Sequence, residues 1–283
     1  MCIRDSHERV DEPARWTATN LVGVPASLLG STAFNEQPAA LQVAGVRDAH
    51  RGLFDLLGRS QGMAESQALF ASYMNTAFAL SRTREPITLP SDEPAPPHRW
   101  RPSYLKLLQG WGLDANSAAG AVLKGWVESR FGIVPVFHRA PLASFPSPAW
   151  AAYFEEKAGS RYHNNNIFQQ LDLLFEFSQW MLARFQPLGA GPCVTLWRGS
   201  TRCEEQIVAG SLRDRRCTVR LNNLVSFSQT REQAGCFGDW LLQAEVPQTK
   251  LLLWPGLLDT ATLHGEAEVL AIGGDYVVRA SYD

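Results

Sequence analysis

The residue pattern of this chain changes at Cys193, and the change limits the folds that the chain can adopt. Before Cys193, apolar residues recur every three or four positions, as they do on one face of an α-helix. From Cys193 onward, short runs of aliphatic and aromatic residues are separated by turn residues, which is typical of strands. Helices grouped first and strands grouped last predict an α+β fold, with a mainly helical N-terminal half packed on a C-terminal β-rich core.

Three stretches of the N-terminal half have the periodicity of helices. The first is 46–80, the second is "SAAGAVLKGWVESRFG", and the third is "NNNIFQQLDLLFEFSQWMLARF". Ser117 is the expected N-cap of the second helix and Gly132 follows its end. Asparagines 164–166 precede the third helix, where capping is a commoner role than ligand binding, although "RYHNNN" could also line a pocket. The proline-dense segment Glu85–Pro102 is expected to be a surface connection.

The predicted strands of the C-terminal half are "CVTLWRG", "NLVSFS", "WLLQAEV", "KLLLW", "AEVLAIGG" and "YVVRA". One short helix, "TREQAGCFGD", is expected to interrupt them.

Length, composition and charge exclude several classes of protein. With 283 residues of which 45% are apolar, the chain can bury a sizeable core, in one large domain or two small ones. A formal net charge of −2 provides no basic field for nucleic acid or for an anionic membrane. The apolar stretches are too short or too interrupted to span a bilayer, and "MCIRDSHERVDEP" lacks the apolar core of a signal peptide.

The cysteines and histidines lack the spacing of known structural or catalytic sites. The five cysteines are widely spaced and form no CxxC, which argues against a disulfide framework and a zinc site. The six histidines form no HExxH, and there is no P-loop and no convincing GxGxxG. We therefore expect a reduced, cytoplasmic protein without a metal.

Two glutamates, Glu266 and Glu268, stand one residue apart at the start of an apolar run. On a strand both side chains point to the same face, with Cα atoms roughly 6–7 Å apart. Two carboxylates this close repel each other, so the pair requires solvent, a cationic partner or a reaction. Taken alone, the pair is more often a solvated strand end.

Two further motifs combine residues that suit a ligand site. Arg198 ends an apolar strand, where a guanidinium can form forked hydrogen bonds to a phosphate or carboxylate, and Gly199 lets a ligand approach the backbone. Ser226 and Ser228 share one face of a strand, where hydroxyls can bind a ribose or orient a carboxylate. Taken alone, each motif has an ordinary explanation: a surface arginine before a turn, and serines that cap the helix near Thr230.

The order of the three motifs is more informative than any one of them. Trp197-Arg198-Gly199, Ser226-Phe227-Ser228 and Glu266-Ala267-Glu268 resemble, in that order, the arginine-serine-glutamate class of mono-ADP-ribosyltransferases. Longer segments resemble one family of this class, the dinitrogenase reductase ADP-ribosyltransferases, over most of the chain from about Asn20 to about Val278. These segments, with the short "LWRGS", are "LVGVPASLLGSTAFNEQP", "LQGWGLDANSAAGAVLKGWVESRFGI", "RYHNNNIFQQLDLLFEFSQW", "RLNNLVSFSQTREQA" and "HGEAEVLAIGG".

The resemblance implies an ADP-ribosyltransferase-like fold in a single domain over residues 20–283. Its helical part is expected over 20–190 and its β-rich catalytic part over 191–283. Residues 1–19 are expected to be poorly ordered or outside the family.

The resemblance also implies the reaction and its partners. NAD+ is expected as a substrate rather than a redox cofactor, and no metal is implied. The acceptor is expected to be an arginine of dinitrogenase reductase, the nitrogenase iron protein, whose reversible inactivation regulates nitrogen fixation. A PII signalling protein is the expected regulator.

Each motif residue has an expected role in this class. Arg198 would hold a phosphate of NAD+, and the backbone of Gly199 would bond the nicotinamide amide. Ser226 would contact the nicotinamide-side ribose and orient Glu268, and Ser228 belongs to the expected NAD+ site. Glu268 would stabilise the positive charge that develops on the ribose.

Glu266 and the segment before it concern which acceptor the protein modifies and how it contacts that acceptor. A guanidinium has a pKa above about 12 and is a poor nucleophile, so a carboxylate that binds it and accepts its proton favours arginine as the acceptor. The preceding segment, Trp254–Gly265, presents to the acceptor in this class, although its residues equally suit a packed connection. Phe237 could approach the nicotinamide, but we expect it in the core.

Two alternatives stay open. In the first, the protein cleaves NAD+ but transfers ADP-ribose to another acceptor, or to water as an NAD glycohydrolase does. The other is a binding protein that has kept the fold and lost catalysis, and the intact Arg198, Ser226, Glu266 and Glu268 argue against it.

Overall fold

The computed structural model describes residues 17, 19–80, 102–259 and 268–282. In these ranges the helices come first along the chain and a six-stranded antiparallel sheet comes last, with one short helix between strands. This arrangement confirms the predicted α+β class. Glu266 lies outside the described residues, as do 1–16 and almost all of Glu85–Pro102.

The helices of the N-terminal half are short except for three. They are α1 (Ala26–Leu29), α2 (Thr32–Glu36), α3 (Val46–Ala49), α4 (Arg51–Arg59), α5 (Met63–Ala77), α6 (Tyr104–Leu113), α7 (Ala118–Phe131), α8 (Pro148–Gly159) and α9 (Asn165–Phe185). The periodic stretch 46–80 is thus three helices: the backbone leaves the helical conformation at His50, between α3 and α4, and is extended at Ser60 and Gly62, between α4 and α5.

The predicted helix ends are confirmed by their caps. The Ser117 hydroxyl accepts the backbone N–H of Gly120, and Gly132 ends α7 with a φ of 75°, a left-handed conformation that favours glycine. The Asn164 side chain accepts the N–H of Ile167 at the start of α9. Asn164 therefore acts as a cap.

The sheet of the C-terminal half has the order β4-β5-β3-β6-β8-β7. Its strands are β3 (Cys193–Ser200), β4 (Ile207–Ser211), β5 (Arg216–Ser228), β6 (Trp240–Pro247), β7 (Leu251–Leu253) and β8 (Glu268–Tyr282). The short helix α10 (Arg231–Gly235) follows β5, and a two-stranded sheet of β1 (Phe137–His138) and β2 (Ala140–Pro141) lies in the helical half.

Four of these strands are paired in a closed ring. β3 pairs with β6, β6 with β8, and β8 with β5, and β5 returns to β3 where Trp197 faces Ser228. Ser228 also faces Glu268 on β8. Trp197, Ser228 and Glu268 therefore form one row across three strands, which brings all three predicted motifs to the same end of the sheet.

β8 is one strand where the sequence predicted two. Gly273 and Gly274, at the end of the first predicted strand, lie inside β8 and opposite an irregularity in β5 between Leu221 and Leu224. A Cβ atom on Gly273 would overlap the carbonyl oxygen of Asn222. The glycines therefore admit a β-bulge in the neighbouring strand.

The bulge connects the sheet to the helical half. The side-chain amide of Asn223 donates to the carbonyl oxygens of Lys124 and Ile133, at 2.8 and 2.9 Å. The amide of Asn222 donates to the carbonyl oxygen of Phe137 at 2.8 Å. One large hydrophobic cluster also includes residues of both halves, such as Phe175 and Ile272.

Two further findings concern the described ranges alone. None of their helices is long and apolar enough to cross a membrane. Their cysteines, Cys193, Cys203, Cys217 and Cys236, are free.

Candidate active site

A cleft of about 660 Å³ lies between the helical half and the sheet. Side chains from α6 and α7 line one side of it, and residues of β3 and β5 line the other. Arg198, Gly199 and Ser226 are among the lining residues, so the structure brings these three predicted site residues together.

Arg198 lies near the end of β3 with its guanidinium only partly bonded. Nη1 donates to the carbonyl oxygen of Ser226 at 2.8 Å. Nε is buried and has no hydrogen-bond partner among the described residues. Burial lowers the pKa of Arg198, and the nearby charge of Glu268 partly opposes this shift. A buried N–H without an acceptor is costly, and a ligand oxygen in the cleft would satisfy it.

Gly199 is where α10 packs against β3. A Cβ atom at this position would overlap the carbonyl oxygen of Ala234 and would lie 3.0 Å from the backbone nitrogen of Gly238. Only glycine allows α10 to approach β3 this closely. The presence of Gly199 is therefore explained equally well by this packing and by the close approach of a ligand.

Ser226 and Glu268 share one hydrogen-bond donor. The indole Nε1 of Trp111, on α6, lies 2.9 Å from Ser226 Oγ and 3.2 Å from Glu268 Oε1. Glu268 is half-buried at the first position of β8. The hydroxyl and the carboxylate therefore lie next to each other, as expected if the serine orients the glutamate.

Ser228 is buried, and neither it nor Ser226 caps the following helix. The cap of α10 is Thr230, whose side chain accepts the N–H of Gln233 at 3.3 Å. The ordinary explanation for the two serines as capping residues is therefore wrong.

The expectation that Phe237 lies in the core is also wrong. Its side chain is 54% exposed and lines the cleft beside Gly199. The physical reason is that α10 ends at Gly235, so Phe237 follows the helix and does not share its buried face.

The described part of Trp254–Gly265 is packed. Trp254, Leu257 and Leu258 are buried, which favours a packed connection for residues 254–259. Residues 260–265 lie outside the described residues.

A buried lysine that sequence reasoning missed lies at the wall of the cleft. Lys124 Nζ is 3.1 Å from Asn116 Oδ1 and 3.1 Å from His138 Nδ1, and it lies 6.0 Å from the centre of the Trp111 ring. Burial lowers the pKa of Lys124 to about 8, although Asp114 and Glu156 act in the opposite direction. Its one sequence signal is a charge inside the apolar run "AVLKGW".

His138 links this lysine to an acidic side chain. Its Nε2 lies 3.0 Å from Glu156 Oε2. Burial lowers the pKa of His138, which favours the neutral ring. A neutral ring that donates from Nε2 to Glu156 can accept from Lys124 at Nδ1.

The described residues hold no group of three or more His, Cys, Asp or Glu side chains arranged for a metal ion.

The family model for dinitrogenase reductase ADP-ribosyltransferase (DRAT) matches residues 19–280. The chain belongs to this family. It is also 45% identical over 272 residues to the NAD(+)--dinitrogen-reductase ADP-D-ribosyltransferase of Rhodospirillum rubrum. The aligned residues cover 96% of this chain and 98% of that relative. No solved structure is significantly similar to the chain. The match to the DRAT family confirms the resemblance predicted from about Asn20 to about Val278.

Proposed function

We propose that this chain transfers ADP-ribose from NAD+ to an arginine of dinitrogenase reductase and so regulates nitrogen fixation reversibly. The Rhodospirillum rubrum relative is named for transfer to dinitrogen reductase with NAD+. The observation that carries the proposal is the meeting of Arg198, Ser226 and Glu268 at one end of the sheet, beside a cleft.

Arg198 would hold a phosphate of NAD+. Its Nη1 is engaged with Ser226, but its buried Nε is without a partner among the described residues. A guanidinium presents several N–H groups in one plane, which suits the oxygens of a phosphate. This partly bonded state supports a role as an anion-binding group.

The nicotinamide end of NAD+ would lie near Gly199 and Phe237. The backbone of Gly199 would bond the nicotinamide amide, and the exposed Phe237 ring offers an apolar surface in the same cleft. Ser228 would support the row that positions Glu268, since its Cα faces those of Trp197 and Glu268.

Glu268 would act on the ribose. As the bond from C1′ to the nicotinamide nitrogen breaks, the electron pair leaves with the nicotinamide and positive charge develops on the ribose. A carboxylate oriented by Ser226 and Trp111 stabilises that charge. Its contribution belongs to the transition state more than to NAD+ affinity.

Glu266 would serve the acceptor. An arginine nitrogen forms the new bond to C1′, and the proton that it loses passes to the Glu266 carboxylate. The products are ADP-ribosylated arginine, nicotinamide and one proton. The spacing of Glu266 and Glu268 would give one carboxylate to the acceptor and one to the sugar.

Three further parts of the proposal concern context. Residues 20–283 would act as one domain, which the hydrophobic cluster shared by both halves supports. A PII signalling protein would regulate the enzyme, and both would act in the cytoplasm. The helical half is the natural surface for it, since the chemistry lies in the sheet.

Intact mass spectrometry of dinitrogenase reductase tests the proposal. After incubation with this protein and NAD+, the reductase should gain the mass of one ADP-ribose. The Glu268→Gln variant should produce no gain.

Other outcomes would change the proposal in defined ways. NAD+ consumption without a mass gain would indicate another acceptor or a glycohydrolase. Neither consumption nor gain, with PII protein added as well, would contradict the proposal.

A further inference from the structure

The donor shared by Ser226 and Glu268 comes from the helical half of the chain. Trp111 lies on α6, with its side chain 4% exposed. Its indole N–H lies within hydrogen-bond distance of Ser226 Oγ on β5 and of Glu268 Oε1 on β8. One nitrogen thus contacts two groups that the reaction uses.

The indole N–H of Trp111 has one hydrogen-bonding role and a fixed position. It is a donor only, so it cannot exchange roles with either oxygen. Its ring is rigid and buried, so its position is determined by packing rather than by solvent. With this donor in place, the Ser226 hydroxyl proton is directed toward another acceptor, and the indole fixes the position of Glu268 Oε1.

The surroundings of Trp111 keep it in this position. The ammonium group of Lys124 lies 6.0 Å from the ring centre and is held by Asn116 and His138. The next residue is Gly112, where a Cβ atom would lie 3.9 Å from Glu268 Oε2. Helix α6 therefore lies close to both oxygens of the carboxylate, at Trp111 and at Gly112.

We propose that Trp111 is a positioning residue for the transfer reaction. Its N–H holds the Ser226 hydroxyl and the Glu268 carboxylate in the arrangement that faces the ribose. This inference rests on the proposed function, and it adds α6 to a site in which Arg198, Ser226 and Glu268 belong to the sheet.

The first test is Trp111→Phe, which keeps an aromatic ring and removes the N–H. The kcat for NAD+ cleavage should fall about 10- to 100-fold, the factor that corresponds to one hydrogen bond to a charged group. The KM and Kd for NAD+ should change less than about threefold, because the lost interaction acts in the transition state.

The matched control is Trp126→Phe. Trp126 is fully buried on α7 and donates its indole N–H to Asp172 at 2.8 Å. The chemical change and the burial are the same, but Asp172 is outside the cleft. This variant should lose stability and keep the kcat of its folded fraction.

Two results would overturn the proposal. One is a Trp111→Phe enzyme with a kcat within about twofold of the original. The other is a rise in KM with kcat unchanged, which would make Trp111 a binding residue instead.

A second measurement needs no activity and so separates this inference from the proposed function. In a double-mutant cycle, the effects of Trp111→Phe and Glu268→Ala on the unfolding equilibrium should be coupled by about threefold or more. Additive effects would show that the indole does not hold Glu268, whatever the reaction is. An absence of NAD+ cleavage together with coupling would contradict the proposed function and leave the positioning contact intact.

Discussion

Arg198 combines, in a single side chain, a structural hydrogen bond and an N–H that is without an acceptor in the described ranges. Its Nη1 donates to the carbonyl oxygen of Ser226 and so links β3 to β5, while its Nε has no partner among the described residues. Burial lowers its pKa, and Glu268 opposes that effect. A guanidinium can donate to both a strand carbonyl and a ligand from fixed directions in one plane, whereas the three N–H groups of an ammonium have no fixed plane.

The variant Arg198→Lys tests this division of roles. A lysine can keep the bond to Ser226 but presents no second N–H in a fixed plane. We expect the KM for NAD+ to rise about tenfold or more, measured by initial rates. Arg216→Lys, at an exposed arginine on β5, is the control and should leave the KM unchanged. An unchanged KM in both variants would exclude Arg198 from phosphate binding.

Substitution of Glu268 and substitution of Glu266 should cause the loss of different activities. Glu268→Gln should abolish both transfer and NAD+ hydrolysis, because the carboxylate charge is needed at the ribose. Glu266→Gln should lose transfer to arginine and retain hydrolysis, because water can replace the acceptor. Nicotinamide release and modification of the reductase, measured in parallel, distinguish the two losses. Full transfer by Glu268→Gln would show that its role is misassigned.

At the residue scale, the sequence predicts the groups that belong to ordered motifs and misses those that do not. Arg198, Ser226 and Glu268 lie at strand ends, so their common location follows from the topology. Trp111 comes from a helix far away in the sequence, and nothing in its own spacing relates it to Glu268. Phe237 was misplaced because the end of α10 could not be located to within two residues.

At the scale of elements, the bulge in β5 determines how the helical half meets the sheet. Asn223 is fully buried and donates to two backbone carbonyls, those of Lys124 and Ile133. Gly273 on β8 leaves room for the bulge. The bulge therefore determines the position of one wall of the cleft, the wall that includes Lys124.

The variant Asn223→Ala should be strongly destabilised. It leaves two buried carbonyl oxygens without that donor, at a cost of about 1–3 kcal/mol for each unsatisfied group. We expect urea denaturation to show a loss of about 2–5 kcal/mol in the free energy of unfolding. Asn164→Ala, which removes only a helix cap, should cost about 1 kcal/mol and serves as the comparison. Equal losses in the two variants would contradict a special role for the bulge.

Helix boundaries were predictable where a local cap defines them, as at Ser117, Gly132 and Asn164. Strand boundaries were not predictable in this way, because a strand ends where the neighbouring strand no longer pairs with it. The first half of β5 alternates polar and buried residues in "RCTVRL", and its pairing to β8 depends on residues about sixty positions away. The sequence predicted a strand end at Gly274, inside what is the single strand β8, because a bulge in the opposite strand leaves no local signal.

At the scale of the whole molecule, a second buried lysine joins the two halves. Lys250 Nζ is 2.7 Å from Asn35 Oδ1, and it lies over the rings of Phe34 on α2 and Tyr276 on β8, at 5.2 and 5.0 Å. Burial lowers its pKa to about 7, with Asp275 and Cys193 acting in the opposite direction. Its protonation is therefore coupled to the folding of the chain.

This coupling predicts a pH dependence of stability. Between about pH 7 and the ordinary lysine pKa of about 10.5, the unfolded chain holds a proton on Lys250 that the folded chain has released. The stability that this group contributes therefore rises with pH, by at most about 1.4 kcal/mol per pH unit.

Lys250→Met should reduce this slope, and urea denaturation at pH 7, 8 and 9 would measure the difference from the original protein. Lys106→Met, at an exposed lysine on α6, controls for the loss of a charge. Equal slopes in the original protein and the Lys250 variant would contradict the coupling.

The closed ring of strand pairings also determines when the enzyme can become active during its synthesis. β8 emerges from the ribosome after every other strand of the sheet, yet its place is between β5 and β6. Until β8 inserts there, the ring is open, Glu268 is absent from the row with Trp197 and Ser228, and Trp111 has no carboxylate to hold. Under the proposed function, a chain that has not yet added β8 would have Arg198 and Ser226 in place without the carboxylate proposed to act on NAD+, so activity would begin only after the last strand has been synthesised.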